Sequence, residues 1–285
     1  MVKTMTRKWT GKIGNYIFLL LFTLIMLYPV IWLFLGSVKA NHEIFAPGSI
    51  LPEKWMWSNY VEGWFALPEH SFGTFFLNTF YVCSLIVIGS VISTTLAGYA
   101  FARLNFPLKN LLFTILMATL MLPQQVLMVP RYMLYSKFGW INSYKPLIIP
   151  AFAAQFSGAF FIYLMVQFIR GIPRELDEAA IVDGCNHFRL FWSVILPNCK
   201  PAIISISLFS LMWSWNDFLN QLLYINNVGR FTLSLGLRLF LDNAAAVNWG
   251  ALFAMSLVTI LPLLIIFFLA QRYFVEGIAA SGIKG

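Results

Sequence analysis

Charged side chains are scarce in this sequence. Asp, Glu, Lys and Arg make up 11% of its 285 residues, against 60% hydrophobic and 17% aromatic residues, which leaves little material for a water-soluble domain. Cysteine is nearly absent as well. Cys83 falls in an apolar run, Cys185 and Cys199 fall in a polar loop, and three thiols so placed make no disulfide framework. His42, His70 and His187 are scattered over different loops, so no His-rich metal site or convergent acid/base set is present. Cys185, His187 and Cys199 lack both the paired spacing and the fourth ligand of a zinc site. No GxxxxGK[ST] loop occurs anywhere, which excludes a P-loop nucleotide site in this chain. Internal repeats and low-complexity tracts are missing too.

Apolar length is abundant. Six runs approach the roughly 20 residues that a helical membrane span needs, at about 14–36, 75–102, 110–130, 146–169, 202–224 and 248–272. They are continuously apolar, as in "IGNYIFLLLFTLIMLYPVIWLFLG", where barrel strands would alternate over about ten positions. The expectation is an all-α membrane protein: one integral domain over 1–285 with six transmembrane helices. The first run follows Lys3, Arg7, Lys8 and Lys12 but is too long for a signal peptide and precedes no small-residue cleavage site, so a retained span is expected. With the N-terminus inside, twelve Lys and Arg fall on the cytoplasmic side and seven outside. That bias predicts both termini in the cytoplasm. The formal charge of +8 is then topogenic, and nucleic acid is not an expected partner.

Three features stand out within the spans. Gly89, Ser93, Ala97 and Gly98 recur at helical spacing in the second, which suits close helix packing. Pro123 and Pro130 bracket the third-span stretch that contains Gln124 and Gln125, which predicts a broken helix there. The two glutamines then either line a pathway or bond to neighbouring helices. In the fifth, Trp213, Trp215, Asn216, Asp217, Asn220 and Gln221 crowd into nine residues, and Asp217 is the one clear acid inside an expected span. At a rise of 1.5 Å per residue it lies about 22 Å from the cytoplasmic end, in the outer half. Rings beside amides and a carboxylate suit a sugar; they equally suit an aromatic belt with a structural polar pair.

The stretch 173–197, "PRELDEAAIVDGCNHFRLFWSVILP", carries charge between two apolar runs. Pro173 suits a first helical turn, and Glu175, Asp177 and Glu178 place negative charge at its positive end. Leu176, Ala179, Ala180 and Asp183 share one side. Gly184 is a natural stop, after which a second amphipathic helix is expected to end before Pro197. The pattern predicts a cytoplasmic helix–turn–helix, which as physics alone could be a solvated loop, an interfacial hairpin or a docking element.

Glu178-Ala179-Ala180, three residues, Gly184, nine residues and then Val194-Ile195-Leu196-Pro197 resembles the EAA loop of ABC-importer permeases, with Val194 where that pattern has isoleucine. "AGYAFARLNFP", "WSWNDFL" and the tail "QRYFVEGIAASGIKG" resemble the carbohydrate-uptake branch, near the smaller maltose-permease subunit, and the likeness covers essentially the whole chain. It implies a cell-membrane permease subunit of an ATP-driven, binding-protein-dependent importer of sugar, with oligosaccharide expected. Its implied partners are a homologous second permease, a cytoplasmic ABC ATPase dimer, an extracytoplasmic solute-binding protein, the sugar and the lipid bilayer. The chain would be no enzyme and hold no cofactor, ATP and Mg being bound by the ATPase. By that likeness Glu178 meets a basic residue of the ATPase, Ala179 and Ala180 permit the fit and Gly184 makes the turn. Asp183, Leu196 and Pro197 complete the coupling loop, and Glu276 in the tail 273–285 is a secondary contact. Gln124, Gln125, Trp213, Trp215, Asn216, Asp217 and Asn220 are the expected substrate-pathway residues. Alternatives are a permease for an amino acid, peptide or glycerol-phosphate-type solute, or a secondary transporter, for which Asp217 alone offers a coupling group.

Overall fold

The computed structural model describes the backbone of residues 2–48, 50–67, 69–154, 158–242 and 247–282, with side chains over the same residues except 2–14, 242 and 272–282. Every regular element among them is helical. In chain order these are α1 (Val2–Ser37), α2 (Ser58–Trp64), α3 (Phe72–Arg103), α4 (Lys109–Thr119), α5 (Met128–Lys137), α6 (Lys145–Phe152) and α7 (Gly158–Arg170). Then come α8 (Glu175–Val182), α9 (His187–Leu190), α10 (Leu196–Asn198), α11 (Lys200–Trp215), α12 (Leu219–Tyr224), α13 (Leu233–Asp242) and α14 (Trp249–Gly282).

Three stretches are long and apolar enough to cross a membrane unbroken: Asn15–Ser37, Phe72–Arg103 and Trp249–Gln271. Two bent pairs also pass when each is taken as one span, Lys109–Thr119 with Gln124–Lys137 at 98° and His187–Asn198 with Lys200–Trp215 at 75°. The described residues thus hold three to five candidate spans. The break expected near Gln124 is present: Pro123 is extended at φ −60°, ψ 131°, and a 3-10 turn follows over Gln124–Leu127, since proline lacks the N–H that would continue the ladder. The run 146–169 is divided between α6 and α7, with 155–157 outside the described residues. The run 202–224 does not continue as one helix either. α11 stops at Trp215, and Asp217 lies in the gap before α12, where its carboxylate accepts from the Asn220 backbone N–H at 3.1 Å and so caps the next helix instead of interrupting one.

The chain divides into two compact units. The first comprises residues 1–72 and 237–261. Its α1 is exposed at every described position from 15 to 32, as suits a helix apolar all round in a bilayer. Asn59 of α2 donates to the carbonyls of Ser37 at 3.0 Å and Lys39 at 2.9 Å, tying α2 to the chain leaving α1.

The second unit comprises residues 73–236 and 262–285. Its core joins Tyr99 and Ala102 of α3, Met165 and Ile169 of α7, and Cys199 and Ile206 at the start and middle of α11. Packing is close because small residues let backbones approach: a Cβ on Gly98 would lie 2.5 Å from Met165 Cγ and 2.7 Å from its Cβ. These atoms sit at the root of a fully buried side chain and have no room to swing aside. Gly98→Ala is therefore expected to destabilise the purified protein by about 1–3 kcal/mol, read as a lowered thermal-unfolding midpoint. Ser93 serves the same packing by donating to the Ala151 carbonyl of α6 at 2.9 Å.

Candidate functional site

Two features in the second unit concentrate polar chemistry. The first is the 173–197 hairpin. α8 runs Glu175–Val182 with Glu175, Asp177 and Glu178 in its first turn, favourable at the positive end of the helix dipole. It ends in a Schellman motif: Gly184 has φ +80°, its N–H donates to Ile181 O at 2.9 Å and the Cys185 N–H donates to Ala180 O at 2.9 Å. Asn186 then caps α9 by accepting from the Arg189 N–H at 2.8 Å. The expected end of this second helix before Pro197 is corrected. A π turn over Phe191–Ile195 widens the backbone, and α10 carries the helix through Pro197 to Asn198, the wider spacing accommodating a residue without an N–H.

The hairpin has two faces. Glu178, Ala179, Asp183 and Gly184 are exposed, together with Leu176, Ile181, Phe188 and Trp192, an unusual density of large apolar side chains on a charged segment. The opposite face holds Asp177 and Ala180, both buried. Ala180 belongs to the core of its own chain, so of the two motif alanines only Ala179 is open to a partner. Leu196 is half-buried and Pro197 exposed.

Asp177 makes the contact that sequence reasoning missed. Its Oδ2 lies 2.6 Å from Arg103 Nε, with both side chains nearly excluded from solvent, while Arg103 Nη2 donates to the Ile172 carbonyl at 2.7 Å. The guanidinium at the end of α3 thereby clamps both the first turn of α8 and the segment leading into it. Its sequence signal, an Arg closing an apolar run, is indistinguishable from a topogenic charge.

The second feature is a cleft of about 250 Å³. Ser90 of α3, Ser210, Trp213 and Ser214 of α11, Asp217 and Asn220 lie on its wall, with Gln124 from the broken third run. Ser210 Oγ donates to Ser90 Oγ at 3.3 Å, linking two helices across it. Ser214 Oγ donates to the Ser210 carbonyl at 2.8 Å, which satisfies its proton within the helix and leaves oxygen lone pairs as acceptors. Asn220 Nδ2 reaches both Asp217 oxygens at 3.1 Å, holding the carboxylate in place. Trp213 is 45% exposed and stacks on Phe161 at 5.1 Å and 16°, offering a fixed aromatic surface.

Four of the seven expected pathway residues, Gln124, Trp213, Asp217 and Asn220, thus meet at one cleft. The other three do not line it. Trp215 is 2% exposed, edge-on to Phe80 at 5.2 Å, because a residue two positions from Trp213 points to the opposite side of the helix. Asn216 bonds back to Met212 O at 2.8 Å, and Gln125 is exposed. Ser90, Ser210 and Ser214 were not expected. The i, i+4 spacing of the last two on the face leading to Asp217 was the signal available. Glu276 falls in α14 where side chains lie outside the described residues.

Comparison with known proteins places this geometry. A family model described as "Binding-protein-dependent transport system inner membrane component" matches residues 89–279, which include the hairpin and every polar residue of the cleft. The arabinooligosaccharides transport system permease protein AraQ of Halalkalibacterium halodurans is 31% identical, with 92% of each chain covered. The sn-glycerol-3-phosphate transport system permease protein UgpE of Yersinia pestis is 29% identical over 93% of this chain and 95% of its own. A chain in the crystal structure of a bacterial ABC transporter involved in import of the acidic polysaccharide alginate superposes with a TM-score of 0.80 at 24% identity, covering 92% of this chain and 95% of that one. This last match shows a shared fold.

Proposed function

Because the chain belongs to the family of binding-protein-dependent transport system inner membrane components, an ABC-transporter permease and not itself an ATPase, we propose that it forms one half of a sugar-import path with six spans and both termini in the cytoplasm. The observation that carries this reading is the hairpin, whose one face is locked into the core by Arg103 and Ala180 while Glu178 and a row of apolar side chains stand free on the other. A homologous permease completes the path, an extracytoplasmic binding protein delivers the sugar, and a separate ATPase dimer holding ATP and Mg docks on the exposed face. Glu178 is the charged anchor of that dock and Ala179 the close-approach point; Gly184 and Asp183 shape the turn. Leu196 and Pro197 close the loop onto α11, and Glu276 in the tail is the secondary contact. When the ATPase closes, displacement of the hairpin passes through Asp177 to Arg103 and α3, and through the shared core to α7 and α11, the helices that carry Ser90, Phe161, Ser210 and Ser214 at the cleft.

The cleft suits a neutral, hydroxyl-rich solute. Among the described residues its lining has one ionisable side chain, Asp217, and no Lys or Arg, so hydroxyls find acceptors in the carboxylate and the serines while the Trp213 face covers an apolar sugar face. The likeness to UgpE favours a second reading, a glycerol-phosphate-type solute, which a carboxylate with no cation beside it in the lining opposes. Uptake by vesicles holding the chain with its partner permease, ATPase and binding protein tests both. Neutral oligosaccharide is expected to be carried at the expense of ATP, to resist a protonophore and to be uninhibited by sn-glycerol 3-phosphate; the reverse competition pattern would favour the second reading. In the same assay Asp217→Ala should lower uptake at limiting sugar by about tenfold, the loss of one charged hydrogen-bond acceptor. Asn216→Ala, outside the cleft, should stay within about twofold, a loss under 0.5 kcal/mol.

A further inference from the structure

A second cavity, of about 720 Å³, opens beside the start of α8. Four cations from separate stretches of chain line it: Arg103 closing α3, Lys109 opening α4, Arg170 closing α7 and Arg174 before α8. Arg103 is committed to Asp177. Lys109 donates to the Leu104 carbonyl at 2.7 Å, and the Arg170 guanidinium lies over the Phe113 ring at 5.7 Å. Among the described residues none of Lys109, Arg170 and Arg174 has a carboxylate within salt-bridge distance, although Glu175 shares the lining. Three like charges facing one concavity with a single unpaired acid repel each other, and an anion with several oxygens relieves that repulsion while accepting from each.

We propose that this cavity is a phosphate site, held by Lys109, Arg170 and Arg174, and that it takes the headgroup phosphate of an anionic phospholipid or a free phosphate. Placement favours the lipid. α3, α4 and α7 are apolar helices with ends at the cavity, and a guanidinium over an aromatic ring of α4 at the end of such helices suits the level where acyl chain and headgroup meet. A headgroup there also borders the first turn of α8, so the bilayer would hold the hairpin at its root. The membrane position rests on the importer reading, whereas the phosphate chemistry does not. The test therefore reads binding and not transport.

The full chain is placed in nanodiscs of phosphatidylcholine with or without phosphatidylglycerol, and retained lipid is measured by native mass spectrometry. In a parallel arm inorganic phosphate is titrated into phosphatidylcholine nanodiscs and followed by phosphorus NMR line width. The wild type should retain phosphatidylglycerol in preference to phosphatidylcholine. Arg170→Gln with Arg174→Gln should cut that preference about thirtyfold, two basic contacts being lost. Arg189→Gln with Lys200→Gln removes the same charge from exposed residues outside the cavity and should leave the preference unchanged; Glu175→Gln should raise it. Lys109→Gln provides an independent loss should the paired variant not fold. Phosphate binding without lipid retention, abolished by the same variants, supports the site with free phosphate as its source. Equal loss in the cavity and control pairs, or no binding of either ligand, overturns the proposal, the attraction then being that of a diffuse basic surface.

Discussion

Arg103→Ala is expected to cost about 3–5 kcal/mol of stability and to abolish coupled transport, because it strands a carboxylate that the fold has already removed from water. Asp177 loses the ion-pair contact at 2.6 Å, and its Oδ1 already lacks a hydrogen-bond partner among the described residues. The Ile172 carbonyl loses its guanidinium donor as well. Both losses fall on the segment that begins α8, so the hairpin should loosen at its root and transmit less of any displacement to α3. The double variant Arg103→Ala/Asp177→Ala should recover part of the stability, since no uncompensated buried charge remains, but it should not restore coupling because the clamp is gone. Thermal unfolding of the four proteins in a double-mutant cycle measures the first statement, and sugar-stimulated ATP hydrolysis in reconstituted vesicles the second. Additive losses in the cycle would mean that the pair does not interact in the folded protein.

Gly184→Val should be nearly as damaging, by a different route. At φ +80° a β-branched residue is strained by about 1–3 kcal/mol. Relaxing that strain would break the two bonds that close α8, from Gly184 N–H to Ile181 O and from Cys185 N–H to Ala180 O. The turn would then re-aim Phe188 and Trp192 relative to Glu178, so the surface proposed to meet the ATPase loses its shape. Co-purification of the ATPase and vesicle uptake should both fall by at least tenfold, the equivalent of about 1.4 kcal/mol, with membrane insertion intact. Gly184→Asn is expected to retain most of both, since asparagine tolerates the left-handed region. Glu178→Ala should show a comparable loss through the missing charge-assisted contact, worth about 1.5–3 kcal/mol. Full assembly and uptake in both Gly184→Val and Glu178→Ala would remove the hairpin from the coupling path.

The difference between these two cases shows what a sequence can disclose. Gly184 was legible because a helix stop is settled by residues within a few positions of each other: a proline and three acids at the start, and a glycine where the helix must end. The apolar runs were legible for a similar reason, since a bilayer imposes its thickness on contiguous chain. The break at Pro123 follows from a missing N–H in proline itself. Each of these is a local constraint, which alternative packings cannot remove.

Which residues meet was decided by the tertiary structure. Arg103 and Asp177 lie 74 positions apart, and nothing local separates a clamping arginine from one that marks a membrane boundary. Ala179 and Ala180 are identical in chemistry, yet helix rotation against the core exposes one and buries the other. Trp213 and Trp215 divide between cleft and core in the same way, and the Ser90–Ser210 contact exists only because α3 and α11 pack face to face. Asp217 stood out in the sequence as the one clear acid within an apolar run, but whether it interrupts a helix or caps one depended on where α11 ends. Sequence by itself thus determined the apolar runs, the hairpin and its turn, since these follow from covalent geometry, capping and membrane thickness. The clamp, the exposed face of the hairpin and the cleft needed the packed structure, because a side chain's partner across distant segments depends on the register and rotation of whole helices, and these are settled by the core.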